Sequence, residues 1–169
     1  MRLLLMRHGI AIHRDDPACP PDAERALTEK GIRRTRQAVA GLLALRLRPD
    51  RVLCSPYRRA EETARLVLAG LGLAPALLHA TEALLPGAAP AAIFRELAES
   101  DAREVLCCGH APSLDEIIAA ALPGRGPPFT ALGKAGVAAL TMATLQPPMG
   151  ELTWMATPRM LRAVGKQGG

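Results

Sequence analysis

Three short clusters carry the side chains most suited to chemistry: Arg7-His8-Gly9, then Ser55-Pro56-Tyr57-Arg58-Arg59-Ala60-Glu61-Glu62-Thr63, then Gly109-His110-Ala111-Pro112. A guanidinium is a planar fork that matches the oxygens of a phosphoryl or carboxylate group. An imidazole can donate a hydrogen bond, take a proton or attack as a nucleophile. Each cluster alone has an ordinary explanation. An isolated arginine pairs with a surface acid, a lone histidine after a strand is structural, and Ser-Pro-Tyr-Arg-Arg is a turn leading into a basic helix. Their weight lies in shared placement, because each follows a short apolar run that reads as a strand. Arg7, His8, Arg59 and His110 are therefore expected to converge on one pocket, where Gly9 permits a sharp exit and Arg59 lies on a helix start that itself favours anions.

The elements that must position them alternate. Residues 3–6 are wholly apolar, as in a strand covered on both faces. A long Pro- and Asp-bearing loop follows over 10–27. Thr28 caps a helix whose apolar positions Ile32, Val39, Leu42, Leu43 and Leu45 carry it to about Arg48. A strand at 51–54 is stopped by Pro56, and a helix over 57–69 is closed by Gly70 and Gly72. Leu77 and Leu78 mark a weak third strand, and a Pro- and Gly-rich stretch spans 86–90. A helix follows over 91–99, then a strand over 104–108, then a helix over 114–122 capped by Ser113. A turn region at 123–128, late strands at 137–142 and 151–155, and a fraying basic tail at 159–169 complete the chain. The alternation predicts an α/β fold, a three-layer α/β/α sandwich with a mostly parallel central sheet. The strands at 3–6, 51–54 and 104–108 should lie side by side and parallel. Ligands of such sheets bind beyond the carboxyl ends of the strands, where all three clusters fall.

Composition narrows the function. At 169 residues the chain fits one domain, expected over 1–158 with the tail at 159–169. The net charge of +5 suits anionic partners. Aromatics are only 2%, too few for base-stacking platforms, so nucleic acid is not an expected partner. Neither is a membrane, because no apolar run approaches the length of a span and the first five residues are too few for a signal peptide. Cys19, Cys54, Cys107 and Cys108 form no CxxC pair and read as reduced thiols. The expected location is the cytoplasm.

The motifs RHG, SPxxRAxxTA and a later GH, with Leu27-Thr28-Glu29-Lys30-Gly31 at the first long helix, resemble the histidine phosphatase superfamily, also called phosphoglycerate-mutase-like. Lys134 and Trp154-Met155-Ala156-Thr157-Pro158 resemble its short SixA-type phosphohistidine phosphatase branch. The resemblance implies that His8 is the nucleophile, that Arg7 and Arg59 hold the phosphoryl oxygens, and that His110 donates to them as a cation. Glu82 lies near the place of the acid that protonates the leaving group in larger relatives. No metal or other cofactor is implied. Ile10 stands where many mutase-type members have an acidic residue, which argues against mutase activity. The implied substrate is a phosphohistidine-bearing protein domain. The alternatives are small phosphomonoesters or phosphoserine, and, in another class, a non-catalytic phosphate-binding module. His13 and Arg58 are expected in solvent, His79 at an exposed strand edge, Tyr57 at the pocket rim and Lys134 at the surface.

Overall fold

A computed structural model describes residues 1–124 and 126–167. Six strands form one sheet: β1 (Arg2–Arg7), β2 (Arg51–Cys54), β3 (Leu78–Ala80), β4 (Glu104–Gly109), β5 (Val137–Leu145) and β6 (Pro148–Ala156). Their order is β3-β2-β4-β1-β5-β6; β1 to β4 are parallel, β5 runs antiparallel to β1, and β6 returns antiparallel to β5. The predicted three-layer sandwich is found, with β2, β4 and β1 adjacent and parallel.

Alternation along the strands explains the layers. Leu4 and Met6 of β1 and Cys108 of β4 face one core, which α1 (Glu29–Ala44), α2 (Arg58–Leu71) and α5 (Pro158–Gln167) cover through Val39, Leu42, Val67 and Leu161. Leu3, Leu5 and Cys107 face the other core, covered by α3 (Pro90–Ala98) and α4 (Ser113–Ala121) through Ile93, Phe94, Leu97, Ile117 and Ile118. Strands buried on both faces carry continuous apolar runs, which is why these runs were legible as strands. Cys107 and Cys108 are both fully buried, free, and on opposite faces. Burial pushes the Cys54 thiol up to about 11, so this neighbour of the cleft is an inert thiol.

Several boundaries differ from the sequence expectation. Helix α1 ends at Ala44, not near Arg48. Arg46 adopts φ +58°, and the Leu47 amide bonds to the Leu42 carbonyl, a helix stop that turns Leu47 into the core. Thr28 caps α1 as expected, accepting from the Gly31 amide at 3.0 Å. Ser113 does not cap α4; it is the first helical residue, and its hydroxyl accepts from the Gly87 amide at 2.9 Å, tying down the 86–90 stretch.

The largest difference is at the carboxyl end. Residues 159–167, expected as part of a fraying tail, form α5 and pack along α1. Thr157 starts the helix by accepting from the Met160 amide. A Cβ at Gly41 would lie 2.1 Å from the Leu161 carbonyl oxygen, and one at Gly165 would lie 2.8 Å from the Gly41 amide nitrogen. Bare glycines on both helices let the backbones touch, so a residue that reads as a helix breaker is the contact point. Residue 125 of the 123–128 turn region and residues 168 and 169 of the tail lie outside the described residues.

Candidate active site

The strand register brings the clusters together. Arg7 pairs with Gly109 across β1 and β4, so the next residues, His8 and His110, stand side by side at the rim. The ladder extends one step beyond, with the His8 amide bonded to the Gly109 carbonyl and the Ser55 amide to the Cys108 carbonyl, both at 3.0 Å. The rings of His8 and His110 lie 5.1 Å apart. Arg59, the second residue of α2, reaches in from the adjacent helix and is 2% exposed. All four expected residues line one cavity of about 470 Å³.

The hydrogen bonds assign the histidine atoms. His8 Nδ1 lies 2.7 Å from its neighbour Gly9's carbonyl oxygen, an acceptor only, so Nδ1 carries the proton and donates. That leaves a lone pair on Nε2, and Arg59 Nε donates to it at 3.3 Å. Burial, together with His110, Arg59 and Arg7, pushes His8 down to about 3 against the Gly9 carbonyl's opposing pull. His8 is thus neutral at physiological pH, with its lone pair facing the cavity's cationic side. His110 Nε2 shares a 2.9 Å hydrogen bond with the Ser55 hydroxyl, and Nδ1 is buried without a partner among the described residues. Burial and Arg59 hold His110 down to about 4, so it is a neutral imidazole rather than the expected cation. Tyr57 packs edge-on to the His110 ring and lies under the Arg59 guanidinium.

The arginines are held by groups that spacing did not single out. Arg59 donates Nη1 to the Asp22 carbonyl and Nη2 to the Asp22 carboxylate at 3.1 Å. Asp22 also takes Arg25 Nη1 at 2.7 Å and sits 3.3 Å from Arg14 Nε. Burial works to raise its carboxyl, but Arg25, Arg59 and Arg14 outweigh that and hold it near about 2. Thr63, one turn after Arg59, donates to the Arg59 carbonyl at 2.7 Å and accepts the Gly9 amide at 3.0 Å, joining α2 to the turn after β1. A Cβ at Gly9 would lie 2.4 Å from Thr35 Oγ1, so any side chain here would have to displace that buried hydroxyl. Arg7 donates Nη1 to the Leu132 carbonyl at 2.8 Å. Buried Asp115 fixes that segment by accepting from the Leu132 amide at 3.0 Å and the Thr130 hydroxyl at 2.7 Å. Burial lowers Arg7 and Arg59 from the ordinary arginine value, opposed by Asp115 and Asp22 respectively, and neither change is enough to discharge a guanidinium.

Of the remaining candidates, Arg58 points to solvent and pairs with Glu62 at 2.9 Å, and His79 is exposed on edge strand β3, as expected. Lys134 is exposed, as expected, and also lines the cavity edge, where partial burial, Arg7 and Arg25 lower its pKa. His13, although exposed, also lines its mouth. Glu82 begins the short turn after β3, is exposed and does not line the cavity, whereas Pro86 of the same segment does. Asp22 and Arg25 were missed because they meet Arg59 only through the folding back of the 10–27 loop. The helical spacing of Arg59 and Thr63 was the one local signal. The arrangement suits attack by His8 Nε2 on a phosphorus atom whose oxygens rest among Arg7, Arg59 and His110.

The chain is similar in sequence and fold to known proteins. Residues 3–84 match the histidine phosphatase superfamily (branch 1). An uncharacterized protein of Picosynechococcus sp. is 38% identical over 145 residues, covering 83% of this chain and 84% of that protein. The phosphohistidine phosphatase SixA of Escherichia coli (strain K12) is 29% identical over 170 residues, covering 96% and 97%. A solved structure of the protein histidine phosphatase SixA complexed with tungstate superposes with a TM-score of 0.81 at 28% identity, covering 94% of this chain and 98% of that one.

Proposed function

The chain belongs to the histidine phosphatase superfamily, in its SixA-type branch, and is a phosphatase; we propose that it removes the phosphoryl group of phosphohistidine in a protein, through a covalent intermediate on His8. The observation that carries this reading is the state of His8: neutral, proton on Nδ1, lone pair on Nε2, with Arg59 Nε opposite at 3.3 Å.

In the first step Nε2 of His8 bonds to phosphorus as the bond from phosphorus to the leaving nitrogen breaks. That nitrogen leaves as an imidazole carrying a proton. In the second step water attacks the phosphorylated His8, releasing inorganic phosphate and restoring the free imidazole. Arg7 and Arg59 meet the charge spread over the transferring oxygens, and the buried, pre-tethered forks need little rearrangement to do so. His110 adds a neutral donor. These side chains provide positive charge without calling on a metal. Thr63 and Asp22 act as positioning residues, one locking the Gly9 turn and the other aiming the Arg59 fork.

Phosphohistidine is favoured over an ester by the shape of the mouth and the place of Glu82. The cavity opens between exposed His13, Arg14 and Asp15 and the short Pro86 segment, which leaves access for a protein-borne group. An ester oxygen leaves poorly without a positioned acid, whereas the imidazole of phosphohistidine is readily protonated before its bond breaks. Glu82, proposed as the acid for ester substrates, stands outside the cavity lining. The same tungstate-binding fold in SixA supports an oxyanion in this cavity. Four free cysteines fit a reducing compartment, and we place the enzyme in the cytoplasm.

The test compares hydrolysis of protein phosphohistidine, phosphoserine and small sugar phosphates, by wild type and by Glu82→Gln. Phosphohistidine should be turned over best, and Glu82→Gln should leave all three rates unchanged, because Glu82 stands outside the cavity lining; a sharp loss confined to the esters would restore it as their acid. A small ester or phosphoserine hydrolysed faster than phosphohistidine would transfer the assignment to that substrate.

A further inference from the structure

A second hollow, of about 310 Å³, adjoins the phosphoryl cavity and shares the Lys134 wall with it. Its lining is divided. Ile10, Ala135 and Pro158 are apolar, while Arg34 of α1, Arg159 and Arg162 of α5 and Lys134 bring four cations and no acid. Three exposed arginines elsewhere have a carboxylate partner: Arg2 pairs with Glu104 at 2.7 Å, Arg58 with Glu62 at 2.9 Å, and Arg65 with Glu61 at 2.6 Å. Among the described residues none of these four cations has a carboxylate in ion-pair range. The first turn of α5, capped by Thr157, borders the hollow and adds the favourable end of a helix for negative charge. The glycine contact between α1 and α5 fixes the backbones that carry Arg34, Arg159 and Arg162, so the charge is presented in a defined arrangement.

We propose that this hollow docks an acidic stretch of the substrate polypeptide, taking carboxylates that flank the phosphorylated histidine while the phosphoryl group enters the cavity over His8. The inference rests on the phosphohistidine-protein reading given above and names the kind of protein surface that reading requires. The chemistry favours a polypeptide over a second small dianion. A compact dianion is held by short, converging donors such as Arg7 and Arg59. Here Arg34 and Arg159 are exposed side chains around an apolar floor, which suits a chain segment offering carboxylates together with an aliphatic side chain. Rim charges of this kind act mainly on encounter and on salt dependence, so the effect should appear in KM rather than in kcat.

The experiment uses the full chain and three probes: a phosphohistidine peptide flanked by glutamates, the same peptide with glutamines in their place, and free phosphohistidine. Wild type should show a KM for the acidic peptide roughly tenfold below that for the glutamine peptide, the scale of a few exposed charge pairs acting together. The triple variant Arg34→Glu, Arg159→Glu, Arg162→Glu should erase that difference while leaving kcat and free phosphohistidine turnover unchanged. Added salt should weaken the acidic-peptide preference of wild type in the same way. Equal KM values for the two peptides on wild type, or an equal loss on free phosphohistidine in the triple variant, would overturn the proposal. A preference of the same arginines for a small bisphosphate over the acidic peptide would overturn it too. The wild-type peptide comparison stands even where the triple variant folds poorly, and the milder Arg→Gln triple then replaces it. Failure of wild type to hydrolyse either peptide would defeat the phosphohistidine reading itself, whereas equal hydrolysis of both would defeat only the docking site.

Discussion

Two polar hollows of nearly equal size lie at opposite ends of the strands, about 470 Å³ over His8 and about 450 Å³ beside Asp50 and Arg103. Both are lined by arginine, aspartate and histidine side chains. In the second, Asp50 and Asp101 balance Arg51 and Arg103, and Asp50 is already used by the Arg103 and Glu104 amides at 2.9 and 3.3 Å. Its histidine, His79, is exposed. In the first, Arg7, Arg14, Arg25, Arg59 and Lys134 face only Asp15 among the lining residues, and His8 and His110 are 8% and 3% exposed. The difference teaches that polar side chains do not make a site by number. An excess of positive charge beside buried, neutral imidazoles does: one Asp22 carboxylate answers Arg14, Arg25 and Arg59 together, and an incoming anion relieves the remainder.

The sharpest way to break the contrast is His8→Ala. It should leave a folded protein with turnover below about a thousandth of wild type, the scale seen when a covalent nucleophile is lost. Mass spectrometry of acid-quenched mixtures should find a phosphoryl group on His8 in wild type and none in the variant. A near-normal rate would refute the assignment. Next, Arg59→Ala and Arg7→Ala should each lower kcat by about 100- to 1000-fold, as for other preorganised donors. A loss confined to KM would mean that the guanidinium binds the ground state only.

Asp22→Asn tests whether the loop network aims the Arg59 fork. A loss on the order of tenfold in kcat is expected, smaller than for Arg59 itself because Arg59 still meets His8. Tungstate affinity should fall with it, while the melting temperature drops only modestly because the Asp22 ion pairs are partly exposed. Unchanged tungstate binding would make Asp22 merely structural.

The buried imidazoles also predict a pH signature. His8 and His110 titrate near about 3 and about 4 when folded, against 6.5 ordinarily. Between those values the unfolded chain binds protons that the folded chain refuses, so stability falls as pH drops from about 6.5 towards about 3. Asp22 acts in the same sense at lower pH: its contribution is present above the ordinary carboxylate range and is lost as pH falls through about 2. Thermal melts should therefore show a shallower acid loss for His8→Ala than for wild type, and parallel curves would contradict the burial argument. The smallest effect belongs to the other hollow. His79→Ala should leave kcat unchanged and alter stability by less than about 0.5 kcal/mol, as for an exposed residue away from any network. A measurable rate loss there would mean that the two ends of the sheet are coupled.

How much of this was legible in the sequence divides by range. The strands were readable because burial on both faces leaves unbroken apolar runs, and the catalytic candidates because each follows such a run directly. Once β1, β2 and β4 are parallel neighbours, Arg7, His8, Arg59 and His110 must share a rim. The sequence by itself therefore determined the sheet, its reactive edge and the four residues upon it. Only tertiary structure decided which atoms face the cavity and how charged it is. Gly9's carbonyl sets the His8 tautomer, and burial among arginines makes His110 neutral where a cation was expected. Asp22 reaches Arg59 across 37 positions, and Asp115 reaches Arg7 through the Leu132 backbone. The basic end of the chain reads as a tail because Leu161 is the one fully buried side chain among the described residues of α5, and its seat on α1 depends on glycines meeting across a helix crossing. Strand periodicity is a local consequence of burial and is written along the chain, whereas tautomer, protonation and helix docking depend on neighbours that only folding supplies.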